Sequence, residues 1–373
     1  MRVDQSVRSC LDDVVLLADI ASMQLIDAQT AESYLRDAGQ LAEVENVRIE
    51  TLSGGVSNCV LYVHRDESHG PDFVLKQARE QLQVEAPWFC SPERGLQEVS
   101  VLEVCQGVLG DSVQNSPSEG LAIHVPEILF QDESNFAYAM TAAPRDHVVW
   151  KSDLLQFHCE PAIAACCGDL LSLLHAKSWQ HEAVRERLAN RQFFMDLRID
   201  PYYRHLLRYH RDLEPAIELL VTSLAEHACT LVHGDYSPKN LLVHKEGCML
   251  VDFEVGHFGD PAFDVGFFLS HLVLKAVWSE ARCEPYWDLT RVFWEAYWAG
   301  MEAGVPQMDR ESLESRAILN CAACLLARVD GKSPVEYLTS EVHREHVRKV
   351  ARRLLLETPG TWSDVVSLVQ VSR

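Results

Sequence analysis

The feature that most constrains this chain is a pair of short apolar runs, each of which ends in an acidic residue. The first run reads Thr230-Leu-Val-His-Gly-Asp235, and Asn240 follows five residues after the aspartate. The second run reads Met249-Leu-Val-Asp252-Phe-Glu254, and its aspartate stands twelve residues after Asn240. Short apolar runs of this kind predict buried strands. Their polar ends predict a site on the loops that follow.

The spacing of these polar groups suits phosphoryl transfer to a hydroxyl group. An aspartate on such a loop can accept the proton of the attacking hydroxyl, and an asparagine five residues later can bind a metal ion. A second carboxylate at Asp252 can hold Mg²⁺ against nucleotide phosphates, and Glu254 can bind a second metal or lie just outside its ligands. The alternative for the first loop is a plain turn in which Asp235 caps backbone N–H groups.

Two upstream features are typical of phosphate binding. A glycine-rich stretch, residues 53–58, separates two segments of period-two alternation that predict an antiparallel hairpin. Its glycines allow the backbone to approach a phosphate closely, although the same residues also suit an ordinary hairpin turn. Lys76 ends the next predicted strand, where its ammonium group can reach nucleotide phosphates. A solvated lysine is the alternative at that position.

The secondary-structure pattern changes along the chain and predicts an α+β protein. Residues 1–44 form a helical lead-in, with one helix from about Asp27 to Gly39. Residues 45–141 predict a small antiparallel β-sheet with one helix over about 92–108. Residues 142–373 are mostly helical, apart from the strands around the acidic motifs. A length of 373 residues is enough for two domains or lobes.

The composition disfavours several classes of protein. Lys and Arg number 33 against 55 Asp and Glu, which gives a net charge of −22. A nucleic-acid or anionic-membrane surface needs a basic face, so both are improbable partners, although a local basic pocket remains possible. The most apolar stretch, 265–277, falls short of a membrane span. The spacing of the twelve cysteines does not match a zinc site. We expect a cytoplasmic protein with reduced thiols. We also expect it to be a monomer or a homodimer.

The motifs HGDYSPKN and VDFE, followed by Gly259-Asp-Pro-Ala-Phe-Asp264, resemble the aminoglycoside phosphotransferase and choline kinase superfamily. The resemblance covers roughly residues 45–275. Within the superfamily, the DxE form of the metal motif and the opening helix from Ile26 to Leu35 look most like the methylthioribose kinases. The resemblance implies a protein-kinase-like bilobal fold with a small β-sheet N-lobe and a large helical C-lobe. It also implies ATP and Mg²⁺ as cofactors and a small-molecule hydroxyl acceptor, such as a sugar, an amino alcohol or an aminoglycoside-like compound.

The resemblance further implies a set of nucleotide-binding residues. Lys76 would bind the α- and β-phosphates and would be oriented by Glu98, with Glu93 as the second candidate. The segment from Met140 to Ala143 would be the hinge whose backbone meets the adenine. The nucleotide-binding residues predicted in this way are Ser53, Gly54, Gly55, Ser57, Asn58, Lys76, Glu98, Met140 and Ala142.

The same resemblance assigns roles within the helical part of the chain. Asp235 would be the catalytic base, and the metal ligands would be Asn240, Asp252 and Glu254. Asp264 would brace the catalytic loop rather than react.

Other residues of the helical part carry weaker hypotheses. Lys239, four residues after the base, would neutralise charge on the γ-phosphate during transfer, unless it is a solvated loop lysine. Contacts to the acceptor are the least constrained, because each candidate could equally serve as a helix-end ion pair or cap. These candidates are Arg198, Asp200, Arg328, Asp330 and Lys332.

Two alternatives to a small-molecule kinase remain at this point. The chain could be a catalytically inactive nucleotide-binding module that acts through partners, although its motif residues are all of the reactive type. It could also be a protein kinase. The metal motif DFE replaces the DFG of protein kinases, and no APE-type segment follows it, so a small acceptor is favoured.

Overall fold

The computed structural model describes residues 23–52, 58–66, 68–81, 89–110, 114–357 and 360–371. The predicted phosphate-binding residues Ser53, Gly54, Gly55 and Ser57 lie outside this part of the chain, as does the lead-in before residue 23. The chain divides into two compact units. The first comprises the residues up to Val99 together with Glu127–Ala142, and the second comprises Ser100–Pro126 and Ala143–Arg373. The domain limits at residues 44 and 141 stay a prediction. The two compact units are divided differently, since residues 100–126 belong to the helical unit.

Strands and helices follow one another as an α+β protein requires. The strands are β1 (Val47–Thr51), β2 (Asn58–Arg65), β3 (Phe73–Ala78), β4 (Gln114–Asn115), β5 (Ala122–His124), β6 (Ile128–Asp132), β7 (Ala137–Thr141), β8 (Val148–Val149), β9 (Thr230–Val232), β10 (Leu241–His244), β11 (Gly247–Leu250) and β12 (His257–Gly259). The α-helices are α1 (Ala31–Asp37), α2 (Arg94–Leu109), α3 (Trp150–Leu155), α4 (Pro161–Lys177), α5 (Glu182–Arg187), α6 (Gln192–Phe194), α7 (Glu214–Glu226), α8 (Ala262–Trp278), α9 (Glu284–Gly304), α10 (Arg310–Asp330), α11 (Glu341–Glu357) and α12 (Trp362–Val371). Helix α6 continues into a π-helical segment, Met195–Arg204.

The first unit is built on a five-stranded antiparallel sheet in the order β1-β2-β3-β7-β6. Alternate residues of its strands, such as Leu61 and Leu75, form a core against Tyr34 and Leu35 of α1. The predicted helix between Asp27 and Gly39 is confirmed. The Asp27 side chain accepts backbone hydrogen bonds at its start, and Gly39 ends it with a φ of +70°.

The second unit combines two small sheets with most of the helices. One sheet has the order β4-β5-β11-β10-β8, and the other pairs β12 with β9. Helix α8 is buried along almost its whole length, which explains its continuous apolar sequence. Of the helices that the structure describes, none has both the length and the apolar character needed to cross a membrane. None of the eleven described cysteines forms a disulfide, and Cys321 and Cys324 are buried in α10.

Candidate active site

The loop after β9 is held in place by a buried carboxylate. Asp264, at the start of α8, accepts hydrogen bonds from the backbone nitrogens of His233 at 2.7 Å and Gly234 at 2.8 Å. Gly234 has a φ of +77°, and an added Cβ would lie 2.8 Å from the carbonyl oxygen of Val255. Only glycine fits this conformation without displacing the loop. The Asp264 contacts are those expected of a residue that braces the loop that carries Asp235.

His233 joins this loop to the strand that carries the second acidic motif. Its Nδ1 accepts a hydrogen bond from the backbone nitrogen of Asp235 at 3.1 Å, so its Nε2 carries the proton and donates to the carbonyl of Val251 at 3.2 Å. The ring is fully buried, and burial lowers the pKa of His233 despite the nearby carboxylates. The imidazole is therefore neutral and fixes the distance between the two motifs.

The side chain of Asp235 is buried but surrounded by donors. Its Oδ2 lies 3.0 Å from Nη2 of Arg198 and 2.8 Å from Nζ of Lys239, and it accepts a 2.9 Å hydrogen bond from Nδ2 of Asn240. Burial alone would raise the pKa of Asp235. The charges of Arg198 and Lys239 outweigh that effect and hold the pKa below its usual value. The carboxylate therefore stays ionised at neutral pH.

Arg198 comes to this site from the π-helical segment, 37 residues before Asp235 in the chain. Its Nε donates to the carbonyl of Gly234 at 2.8 Å, and its guanidinium lies 5.8 Å from the ring centroids of Tyr202 and Phe267. The sequence offered Arg198 as an acceptor contact, and that role stays a prediction. In the structure its guanidinium contacts the loop that carries Asp235. A pattern of local spacing cannot reveal this pairing, because it arises from packing between distant segments.

The side chain of Asn240, a predicted metal ligand, is oriented by Asp235. Its Nδ2 donates to both Oδ2 and the backbone carbonyl of Asp235, each at 2.9 Å, which turns its carbonyl oxygen away from Asp235. It ends a short 3₁₀ turn, Pro238–Asn240, and its own backbone carbonyl accepts from Val251 at 3.0 Å. Oxygen ligands of this type are those that Mg²⁺ prefers.

Asp252 follows β11 in a left-handed backbone conformation with a φ of +74°. Such a conformation is uncommon outside glycine, and aspartate is among the residues that tolerate it. The negative charge of Asp252 acts on both Asp235 and Lys239. Glu254 is buried, and its charge acts on Arg198. The second unit thus brings the base candidate and the predicted metal ligands into one electrostatic neighbourhood.

The first unit contains the predicted lysine–glutamate pair. Lys76 on β3 donates from Nζ to Oε1 of Glu98 on α2 at 2.8 Å, and both side chains are almost fully buried. Glu93 instead accepts from its neighbour Ser91, so Glu98 is the partner of Lys76. Met140 is buried on β7 opposite Val74. Of the other predicted nucleotide contacts, Asn58 is buried at the start of β2 and Ala142 is half-buried after β7.

The remaining predicted acceptor residues have separate partners in the structure. Asp200 lies on the surface and pairs with Arg204 one helical turn away, at 3.0 Å. Asp330 accepts from His210 and from Arg348, each at 2.9 Å. Arg328 is half-buried and Lys332 is exposed. The acceptor role of these four residues stays a prediction.

Comparison with protein families assigns most of the chain to one family. The model described as the phosphotransferase enzyme family matches residues 48–303. A methylthioribose kinase of Pectobacterium carotovorum subsp. carotovorum is 24% identical over 92% of this chain and 96% of its own length. A methylthioribose kinase of Yersinia pseudotuberculosis is 24% identical, and a second from Oryza sativa subsp. japonica is 23% identical. Their alignments cover 66% and 67% of this chain but only 64% and 62% of those relatives.

Solved structures share the fold at low sequence identity. A choline kinase from Cryptosporidium parvum has a TM-score of 0.58 at 12% identity, covering 93% of this chain and 99% of that one. Amicoumacin kinase in complex with AMP-PNP and Ca²⁺ has a TM-score of 0.56 at 13% identity, covering 91% and 97%. These similarities confirm the predicted protein-kinase-like α+β fold.

Proposed function

The chain belongs to the phosphotransferase enzyme family, and from this premise we propose that it is a small-molecule kinase. It transfers the γ-phosphoryl group of ATP to a hydroxyl of a small acceptor, with Mg²⁺ as the metal. The observation that carries the proposal is the ionised, buried carboxylate of Asp235, held by three donors beside the predicted metal ligands. The curated relatives named above are methylthioribose kinases, which phosphorylate a small sugar-like compound as their name states.

Asp235 orients the attacking hydroxyl and accepts its proton in this proposal. Its low pKa makes it a weak base, which suits phosphoryl transfer, because positioning and charge compensation supply most of the catalysis in that reaction. Asn240 and Arg198 hold the carboxylate in one orientation. A fixed carboxylate places the nucleophile without further loss of entropy.

The charges on the transferred group are compensated by other residues of the chain. Asn240 and Asp252 would bind Mg²⁺ with help from Glu254, and the metal would neutralise the phosphate oxygens. Lys239, whose Nζ lies 2.8 Å from Asp235, would move its charge towards the γ-phosphate during transfer. Lys76, oriented by Glu98, would bind the α- and β-phosphates.

The proposal is tested by measuring ADP release with Mg-ATP over a panel of sugars, amino alcohols and antibiotics. A positioned base contributes about 10²–10⁴-fold, so Asp235→Asn should lower kcat/KM by at least about 100-fold. The matched control is Asp288→Asn, which changes an exposed carboxylate in a surface pair with Arg291 and should leave the rate unchanged. A chain that binds Mg-ATP but releases no acceptor-dependent ADP would be an inactive module, and the proposal would fail.

A further inference from the structure

The second unit collects positive charge at one place, although the whole chain carries a net charge of −22. The place is the buried face of α8 around His271. Burial lowers the pKa of His271, and the charges of Arg328, Lys275, Lys239 and Lys151 lower it further. All four cations therefore lie close enough to act on one imidazole. We call His271, Lys151, Lys275, Arg328 and Tyr337 the cationic cluster.

The central lysine of this cluster has no carboxylate partner in the described part of the chain. Lys275 is completely buried, and its Nζ donates only a long 3.3 Å hydrogen bond to the carbonyl of His271. The same ammonium lies 5.3 Å from the ring centroid of Tyr337. Burial, followed by the charges of Lys151 and Arg328, lowers the pKa of Lys275 to about 7. A buried amine among other cations is costly to protonate unless an anion arrives.

Several polar atoms of the cluster are also left without a hydrogen-bond partner. They are Nε2 of His271, Nε of Arg328 and the hydroxyl oxygen of Tyr337. His271 is more than nine-tenths buried, so solvent does not satisfy its ring nitrogen. Buried donors are almost always paired in folded proteins. Three orphaned polar atoms beside Lys275, whose ammonium contacts no carboxylate of the described residues, indicate a place where a ligand supplies acceptors.

Only one carboxylate of the described residues contacts this cluster. Glu336 accepts a hydrogen bond from Lys151, and its side chain is 63% exposed. Arg328 instead donates to neutral oxygens, namely the hydroxyl of Tyr202 at 3.1 Å and Ser333. Neither the guanidinium of Arg328 nor the ammonium of Lys275 therefore contacts a carboxylate of the described residues, although the charge of Glu336 acts on both.

A chain of contacts links the cationic cluster to the catalytic loop. Arg328 bonds to the hydroxyl of Tyr202, the ring of Tyr202 lies against Arg198, and Arg198 pairs with Asp235. The cluster is thus about two side chains away from the carboxylate that would orient the acceptor hydroxyl. Lys151 of the cluster is partly exposed, and Lys239 on the loop that carries Asp235 is exposed, so this region has access to solvent. An acceptor whose hydroxyl meets Asp235 can present its other end to the cluster.

We propose that the cationic cluster is an anion-binding subsite and that the acceptor is a small hydroxyl compound that also carries a carboxylate or phosphate group. This inference rests on the proposed function, because it specifies the acceptor of the same site. The guanidinium of half-buried Arg328 and the ammonium of partly exposed Lys151 bind the anion directly. His271 and Tyr337 donate to it, and the buried amine of Lys275 takes up a proton when the anion arrives. A polycation or a quaternary amine would be repelled by the same groups.

The test compares acceptors that share a carbon skeleton and differ only in the charge at one end. D-gluconate, sorbitol and glucamine form one such set, with sorbitol 6-phosphate as the phosphate arm. ADP release with Mg-ATP gives kcat/KM, and the thermal shift with Mg-AMP-PNP gives binding without turnover, both at constant ionic strength. We expect an anionic member to exceed the neutral one by about tenfold or more, since hydrogen bonds to charged groups are strong. The cationic member should be the poorest.

Variants assign the preference to the cluster. Lys151→Gln and Arg328→Gln should each lower kcat/KM for the anionic member about tenfold more than kcat/KM for the neutral member. Arg328→Lys, which keeps a positive charge, should retain part of the preference for the anionic member. Lys177→Gln at the exposed end of α4, and Arg353→Gln in an exposed pair with Glu357, are the matched controls. Lys151 is partly exposed, so its variant keeps the test valid if an Arg328 variant fails to fold.

The outcomes separate this inference from the proposed function. The subsite is overturned if kcat/KM is highest for the neutral or cationic member, or if neither cluster variant changes the preference among acceptors. Either result still supports the proposed kinase activity. Stabilisation by gluconate or sorbitol 6-phosphate that Lys151→Gln and Arg328→Gln abolish, without ADP release, supports the subsite and sinks the kinase. If the anionic acceptors increase neither turnover nor thermal stability relative to the neutral acceptor, the subsite is rejected.

Discussion

At the scale of single residues, the site depends on the pairing of Asp235 with Arg198. A buried carboxylate without a cation would take up a proton, because burial disfavours its charged form. Arg198 removes that tendency and also binds the carbonyl of Gly234, so it positions the loop as well as the charge. Arg198 is therefore a positioning residue that acts through Asp235.

Replacing Arg198 should change the pH dependence of the reaction. The active form of Asp235 is the carboxylate, and Arg198 lowers its pKa. In Arg198→Met this pKa rises, by about one unit or more for a neighbouring opposite charge. The acidic limb of kcat/KM against pH should then move to higher pH by a similar amount. A limb at the wild-type position, with only a uniformly lower rate, would mean that Arg198 does not control the ionisation of Asp235.

The buried pair of Lys76 and Glu98 gives a second prediction at this scale. Glu98→Gln removes the charge that orients Lys76, and a charge-assisted hydrogen bond is worth about 1.5–3 kcal/mol. We expect KM for ATP to rise about tenfold or more. Glu93→Gln is the matched control on the same segment, because Glu93 does not contact Lys76. Equal effects of the two variants on KM for ATP would contradict the assignment of Glu98.

At the scale of elements, the sequence predicted the strands and the loops that bear the acidic motifs. Period-two alternation and glycine positions are local signals, so β1, β2, β3 and the ends of β9 and β11 could be located from them. Residues 114–115 lie in a stretch rich in Gly, Ser and Pro that is typical of a loop, yet they form β4 and pair with β5. The parallel pairing of β5 with β11 joins residues more than 120 positions apart. No local pattern encodes such a pairing, and the same reason hides the contact of Arg198 with Asp235.

The tight turn after β9 gives a prediction about this element. Gly234→Ala places a Cβ 2.8 Å from the carbonyl of Val255 at a φ of +77°, so the loop must shift or strain. We expect a lower Tm and a loss of activity larger than the loss of stability explains, because Asp235 follows directly. Gly107→Ala, in the exposed last turn of α2 with open space around it, should be neutral or raise stability by up to about 1 kcal/mol. Wild-type activity in a folded Gly234→Ala protein would show that the loop tolerates displacement.

At the scale of the whole molecule, charge is distributed unevenly. A net charge of −22 repels anionic partners at long range, and salt weakens that repulsion. Within the second unit, Asp235 gathers Arg198 and Lys239, while the cationic cluster lies among few carboxylates. In the proposed function, an acidic protein that binds a polyanionic nucleotide needs such local reversals of sign. The metal would serve the same purpose, because it would compensate phosphate charge that acidic side chains alone would repel.

Metal dependence of nucleotide binding is the prediction that belongs to this scale. Mg-AMP-PNP at 100 times its Kd should stabilise the folded chain by about 2.7 kcal/mol, which appears as a higher Tm. EDTA should remove most of the shift, because AMP-PNP without the metal meets the carboxylates of Asp252 and Glu254. Asp252→Asn should weaken the metal-dependent part, whereas Asp288→Asn on the surface should leave it intact. A Tm shift of the same size in EDTA and in Mg²⁺ would exclude the metal role of Asn240 and Asp252. In that case kcat/KM should also be the same with other divalent ions.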